Sequence, residues 1–206
     1  IRCIGVPGTI DNDLFGTDYT LGFDTAINTA IDAIDKIRDT ADSHNRLFFV
    51  EVMGRDAGFI ALSCAIAGGA EAVVIPETET NIDALISTLE KGWYHKKSSA
   101  IVVVAEGDEA GGAYDIAKMV KDKFSEYDTR VAVLGHIQRG GNPSVYDRIL
   151  GSRLGVAAVE ALMEGRKNEM AGVTNNRVSF TPFSKATKHH QSINQNLLKL
   201  VEVLSI

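Results

Sequence analysis

Residues 100–105 read Ala-Ile-Val-Val-Val-Ala and run straight into Glu106-Gly107. An unbroken apolar run of this length, rich in β-branched residues and closed by a polar turn, describes a strand buried on both faces. That is the habit of a central strand in a parallel sheet. Upstream, Asn81 can cap a helix carrying Ile82, Leu85, Ile86 and Leu89; downstream, Ile116, Val120 and Phe124 mark another. The alternation continues outward. Glu71–Ile75 before Pro76 and Arg46–Met53 (RLFFVEVM) read as strands, with a largely buried helix over Ala57–Ala67 between them, ended by Gly68-Gly69. Phe23, Ile27, Ile31, Ile34 and Ile37 recur every three or four positions and predict an amphipathic helix through about Ala41. Beyond the centre, Arg130–Leu134 reads as a strand, Tyr146 to about Met163 as a long helix, and Ser192–Leu204 as a closing helix. Strands alternating with helices predict an α/β fold with right-handed βαβ crossovers, whose ligands gather at the carboxyl ends of the strands.

The rest of the composition agrees with a globular chain. Its 206 residues are 45% hydrophobic and carry 21 Lys+Arg against 27 Asp+Glu, a net charge of −6, which argues against disorder and supplies no global field for nucleic acid. Cys3 and Cys64 lie in apolar surroundings without zinc-type spacing, so both are expected to be buried thiols of a reducing compartment. The apolar stretches fall far short of the roughly 20 residues that span a bilayer, and a cytoplasmic location is expected, with no membrane or nucleic-acid partner. The chain opens directly in Ile1-Arg2-Cys3-Ile4-Gly5-Val6, which reads as an interior strand, so it is expected to be part of a longer protein.

Three loops after strands are the candidates for chemistry. Pro7-Gly8-Thr9-Ile10-Asp11-Asn12-Asp13 sets two carboxylates two residues apart, one able to take a proton from a hydroxyl and the other to approach Mg²⁺; the same residue types also make a plain turn. Glu51-Val52-Met53-Gly54-Arg55-Asp56-Ala57-Gly58 runs from strand through glycine turn to helix, where Arg55 either stabilises phosphoryl charge or simply pairs with Asp56. Gly135-His136-Ile137-Gln138-Arg139-Gly140-Gly141-Asn142-Pro143 joins an imidazole, a guanidinium and glycine-exposed N–H groups, a set suited to a phosphate monoester. Lys96-Lys97 reads as a solvated face, and His189-His190 lacks the companions of a metal site.

Taken together, PGTIDND at 7–13, EVMGR at 51–55 and GHIQRGGNP at 135–143 resemble the phosphofructokinase family, from Ile4 to about Arg166. The resemblance implies two three-layer α/β/α Rossmann-like domains with largely parallel sheets. Residues 1–22 and 135–186 would belong to a larger nucleotide- and Mg²⁺-side domain, incomplete here. Residues 23–134 would form the sugar-phosphate side, with 187–206 a C-terminal helix packing back on it. It implies phosphoryl transfer from ATP to the C1 hydroxyl of fructose 6-phosphate, with Asp11 as base, Thr9 and Arg55 stabilising the transferring group, and Asp13 near Mg²⁺. Arg46, Arg130, His136 and Arg139 would hold the sugar phosphate, and Ile10, Met53, Gly54, Glu106, Ile137 and Gln138 would line the sugar. Arg46 and Arg130 would reach a neighbouring subunit's site in a homotetramer. Gly8 stands where the pyrophosphate-using branch resembles a lysine, which favours ATP. Arg38, Glu71 and Lys97 match effector positions, although His95 stands where Lys or Arg is usual. Without the family's upstream nucleotide loops, the segment alone is expected to be inactive; a pyrophosphate-dependent enzyme and a non-catalytic sugar-phosphate binder are the alternatives.

Overall fold

The computed structural model describes residues 1–41, 46–95, 97, 99–188 and 193–205. Lys96 and the His189-His190 pair lie outside them. The chain divides into two compact units, one of residues 1–26 and 139–191, the other of 27–138 and 192–206.

The second unit is organised around the run at 100–105. Strand β6 (Ser99–Ala105) has every residue buried. It stands between β4 (Arg46–Val52) and β5 (Ala72–Val74), and β7 (Asp128–Val133) pairs with the far side of β4, giving the all-parallel order β5-β6-β4-β7. One sheet face, with Leu47, Phe49, Val102 and Val104, packs on Leu85, Ile86 and Leu89 of α3 (Ile82–Tyr94) and on Ile116 and Val120 of α4 (Ala113–Lys123). The two-residue strand period turns Ile101 and Val103 the other way. There α2 (Phe59–Ala67) lies along β4, β5 and β6 and also meets α6 (Gln195–Leu204). Burying each such Val, Leu, Ile or Phe side chain stabilises the fold by about 1.5–3 kcal/mol, so this core is what fixes the strand ends.

In the first unit, β1 (Ile4–Gly5) pairs in parallel with β8 (Glu169–Thr174), which pairs antiparallel with β9 (Arg177–Pro182). Leu150 and Leu154 of α5 (Val145–Met163) pack on Ala171 and Val173 of β8. A short parallel pair, β2 (Gly8–Thr9) with β3 (Leu21–Gly22), leads into α1 (Phe23–Ala41).

Several expectations need correction. The opening segment forms only the two-residue β1, at an edge of the described sheet, so Cys3 is exposed rather than buried; only Cys64 is enclosed. The β8–β9 hairpin was not anticipated and makes this sheet partly antiparallel. The Gly135–Arg139 loop is a single 3-10 turn. Helix α2 starts at Phe59 rather than Ala57, because Ala57 N–H closes a turn on Gly54 O at 3.0 Å, and the closing helix begins at Gln195, after the cap Asn194.

Candidate active site

In the second unit, the parallel strands deliver three loops to one end of the sheet. Past Val52 the β4 backbone has no further sheet partner, and side chains take over. Met53 N–H donates to Gln138 Oε1 at 2.8 Å, Gly54 N–H to Glu106 Oε1 at 3.3 Å, and Arg55 N–H to the same oxygen at 2.8 Å. Arg55 has φ 54°, a left-handed conformation uncommon for a residue with a side chain. Its guanidinium is exposed and has no ion pair among the described residues, so the pairing with Asp56 considered above is not made. Glu106, His136, Ile137 and Arg139 are exposed, whereas Met53 and Gly54 are buried and Gln138 is 1% exposed.

Arg46 and Arg130 lie elsewhere. Arg46 opens β4, seven residues before the turn at Met53, so about 20 Å of strand separates them. Asp128, which the sequence reading passed over, bridges the two arginines: its Oδ2 lies 3.6 Å from Arg46 Nε and 2.8 Å from the Arg130 guanidinium. Within one chain, therefore, these two cations are brought to each other and away from Met53, Gly54, Arg55 and Glu106.

In the first unit, the PGTIDND turn is held from inside. Asp11 N–H donates to Thr9 Oγ1 at 3.2 Å, Thr20 Oγ1 donates to Thr9 O at 2.7 Å, and Thr20 N–H donates to Asn12 Oδ1 at 2.8 Å. Asn12, at φ 55°, also donates through Nδ2 to Asp18 O at 3.1 Å. Asp11 and Asp13 are 6% and 9% exposed, and Asp13 Oδ2 lies 3.1 Å from Lys188 Nζ. Ile10 is partly buried on the same turn. Among the described residues no three His, Cys, Asp or Glu side chains gather to hold a metal ion by themselves. Two carboxylates on one turn fit Mg²⁺ as it is commonly bound, through one or two carboxylates with phosphate oxygens and water completing the shell.

Arg38, Glu71 and Lys97 form a second cluster. Arg38 donates to Gly68 O and, at 2.9 Å, to Gly69 O; Lys97 Nζ lies 3.8 Å from Glu71 and donates to Ser205 O at 2.7 Å. Burial raises the Glu71 pKa above its ordinary value, against the Ile101 N–H bond and the two cations, which lower it. Glu71, His95 and Lys97 line a cavity of about 1040 Å³ that is also walled by β5, the segment at 78–81, α3 and α6.

Residues 1–162 match the phosphofructokinase family model. This chain belongs to the phosphofructokinase family. It is 55% identical over 206 residues to ATP-dependent 6-phosphofructokinase 2 of Bacteroides thetaiotaomicron, covering all of this chain and 63% of that protein. Against ATP-dependent 6-phosphofructokinase 1 of Thermus thermophilus it is 54% identical over 203 residues, covering 98% of this chain and 63% of the relative. Among solved structures, Saccharomyces cerevisiae phosphofructokinase superposes with a TM-score of 0.85 at 36% identity, over 90% of this chain and 26% of that one. Pyrophosphate-dependent phosphofructokinase of Marinobacter aquaeolei gives 0.79 at 27% identity, over 99% of this chain and 60% of that one. This phosphofructokinase-family chain thus spans about 63% of the length of the curated relatives it matches. No helix among the described residues is long and apolar enough to cross a membrane.

Proposed function

We propose that this chain serves phosphoryl transfer from ATP to the C1 hydroxyl of fructose 6-phosphate, the glycolytic step that yields fructose 1,6-bisphosphate in the cytoplasm. The observation that carries this reading is the internally bonded Thr9–Asp13 turn, which fixes two buried carboxylates two residues apart. Asp11 takes the hydroxyl proton as the C1 oxygen forms its bond to the γ-phosphorus, the bond from that phosphorus to the bridging oxygen breaks, and ADP leaves. Such a transfer asks of the protein chiefly positioning and stabilisation of oxygen charge, and Thr9 and Arg55 provide donors for it. Mg²⁺, held near Asp13, would neutralise charge on the phosphates when bound.

His136 and Arg139 bind the 6-phosphate. Arg46 and Arg130 complete that site from a neighbouring copy within a homotetramer, a reading supported by their shared pairing with Asp128, away from the turn at Met53. Ile10, Met53, Gly54, Glu106 and Ile137 line the sugar. ATP is favoured as donor by Gly8, which leaves room beside the turn, and by the names of the relatives. The Arg38, Glu71 and Lys97 cluster takes a phosphorylated effector. The segment by itself, about 63% of its relatives' length, is inactive.

The test is a coupled assay for fructose 1,6-bisphosphate, with Mg²⁺ and fructose 6-phosphate, offering ATP or pyrophosphate to this segment and to a full-length protein containing it. Turnover with ATP in the full-length protein alone supports the reading. Pyrophosphate use overturns the donor assignment, turnover by the segment overturns its inactivity, and binding of the sugar phosphate without turnover makes the protein a sensor.

A further inference from the structure

We infer that Gln138 and Glu106 are positioning residues for Arg55, acting on its backbone to present the guanidinium; the inference rests on the function proposed above and deepens it. Strand β4 makes its last ladder pairing at Val52, opposite Ala105, and the neighbouring strands then turn away. The next three N–H groups, of Met53, Gly54 and Arg55, are nevertheless all bonded, the first to Gln138 Oε1 and the other two to Glu106 Oε1. Two side chains thus extend the ladder by three residues, from the loops that follow β7 and β6.

What they extend it into is a conformation that needs holding. Arg55 sits at φ 54°, which an L-residue with a Cβ adopts only where its surroundings impose it. The neighbouring backbone closes in as well. A Cβ on Gly107 would come within 1.8 Å of Arg55 O, and one on Gly54 within 2.3 Å of Ala57 O. The two turns are interlocked at a distance that admits only glycine at 107. The exposed guanidinium has no ion pair among the described residues to orient it, so its direction is set from the backbone it leaves.

Gln138 distinguishes positioning from direct contact. It is 1% exposed, so its amide acts on the site through Met53 N–H and not by touching a sugar. Glu106 is different: Oε1 holds the turn while the carboxylate stays exposed, so a sugar hydroxyl that donates to Glu106 loads the same group that fixes Arg55. Substrate occupancy and guanidinium placement are coupled through one carboxylate.

The test uses a full-length protein with Gln138→Met and Glu106→Leu, which remove the acceptors, and Glu106→Gln, which keeps one. Amide hydrogen exchange should show protection lost at Met53 in Gln138→Met and at Gly54 and Arg55 in Glu106→Leu, with Glu106→Gln restoring the latter pair. Gln138→Met should lower kcat about 10- to 100-fold with the KM for fructose 6-phosphate changed less than threefold, the pattern of a misplaced group felt mainly in the transition state. In an Arg55→Ala background the same substitution should cost little more. Unchanged protection overturns the clamp. A raised KM at constant kcat, or effects of Gln138→Met and Arg55→Ala that multiply, overturns its action through Arg55. A wild type inert with both donors overturns the proposed function instead and is recognised before any variant is made, while amide protection still decides the clamp.

Discussion

The Asp147 carboxylate, in the first turn of α5, accepts the backbone N–H groups of Gly22 and Thr25 at 2.9 Å each, capping α1 with a side chain 122 residues away in sequence. Thr25 Oγ1 donates to the same carboxylate and in turn accepts Ser144 N–H at 3.1 Å, so the start of α1 and the start of α5 share one hydrogen-bonded junction. Asp147 is 7% exposed, and removing it takes the acceptor from the partly buried Gly22 and Thr25 N–H groups. Asp147→Ala should therefore destabilise the fold by about 1–3 kcal/mol, and Asp147→Asn, which retains one acceptor oxygen, by less. The unfolding midpoint in urea measures both; equal losses would mean that the negative charge at the helix N-terminus, and not the acceptor count, does the capping.

Glu71 gives a pH dependence with a definite sign. Its pKa is raised above the ordinary 4.5 on folding, so between that value and the raised one the native state holds more protons than the unfolded state. Stability contributed by the protonated form is then present below 4.5 and is lost as pH rises through the window. Glu71→Gln should remove that downward slope, as read from urea midpoints taken from pH 4 upward; a slope unchanged in the variant would assign it to other groups.

The two cysteines should react in opposite ways. Cys64 is enclosed in α2 and burial pushes its thiol up to about 12, whereas Cys3 is exposed ahead of β1. A thiol reagent at pH 8 should modify one cysteine in the native protein and both in denaturant, and peptide mapping should place the native adduct on Cys3. Fast labelling of Cys64 would reveal local opening of α2.

If Arg46 completes the site of a neighbouring copy, it and Asp11 act in different chains' contributions to one site. Full-length Arg46→Ala and Asp11→Asn proteins should each be nearly inactive, and refolding them together should restore measurable turnover, because some sites in the mixed assembly receive both native residues. No recovery from a mixture shown to form hybrids would place Arg46 in its own chain's site.

What the sequence disclosed was what repeats locally. β6 was legible because burial on both faces leaves no polar residue in the run, and Asn81 was legible as a cap, its side chain accepting Ala84 N–H at 2.9 Å. The β8–β9 hairpin escaped because Gly172, Ser179 and Thr181 interrupt its apolar positions. Its signal was Asn175-Asn176, both at positive φ as a two-residue hairpin turn requires. The motif loops stood out by residue type, but their bonding did not. Glu106 reaching Gly54 and Arg55, Asp128 joining Arg46 and Arg130, and Asp147 reaching Thr25 are contacts between remote segments, and such contacts leave no periodicity to read.

The pairing of Ile4 with Glu169 carries a consequence for the nascent chain. β1 is synthesised 165 residues ahead of the segment of β8 that pairs with it. At roughly 5–20 residues per second that is a delay of about 10–30 s. During that interval residues 27–138 emerge with the four described strands of their sheet, and can collapse around β6 before β8 is present to pair with β1. Synthesis order thus lets the inserted unit collapse before β8 joins β1, and a pause in translation beyond residue 138 would lengthen the time for which that pairing is unmade.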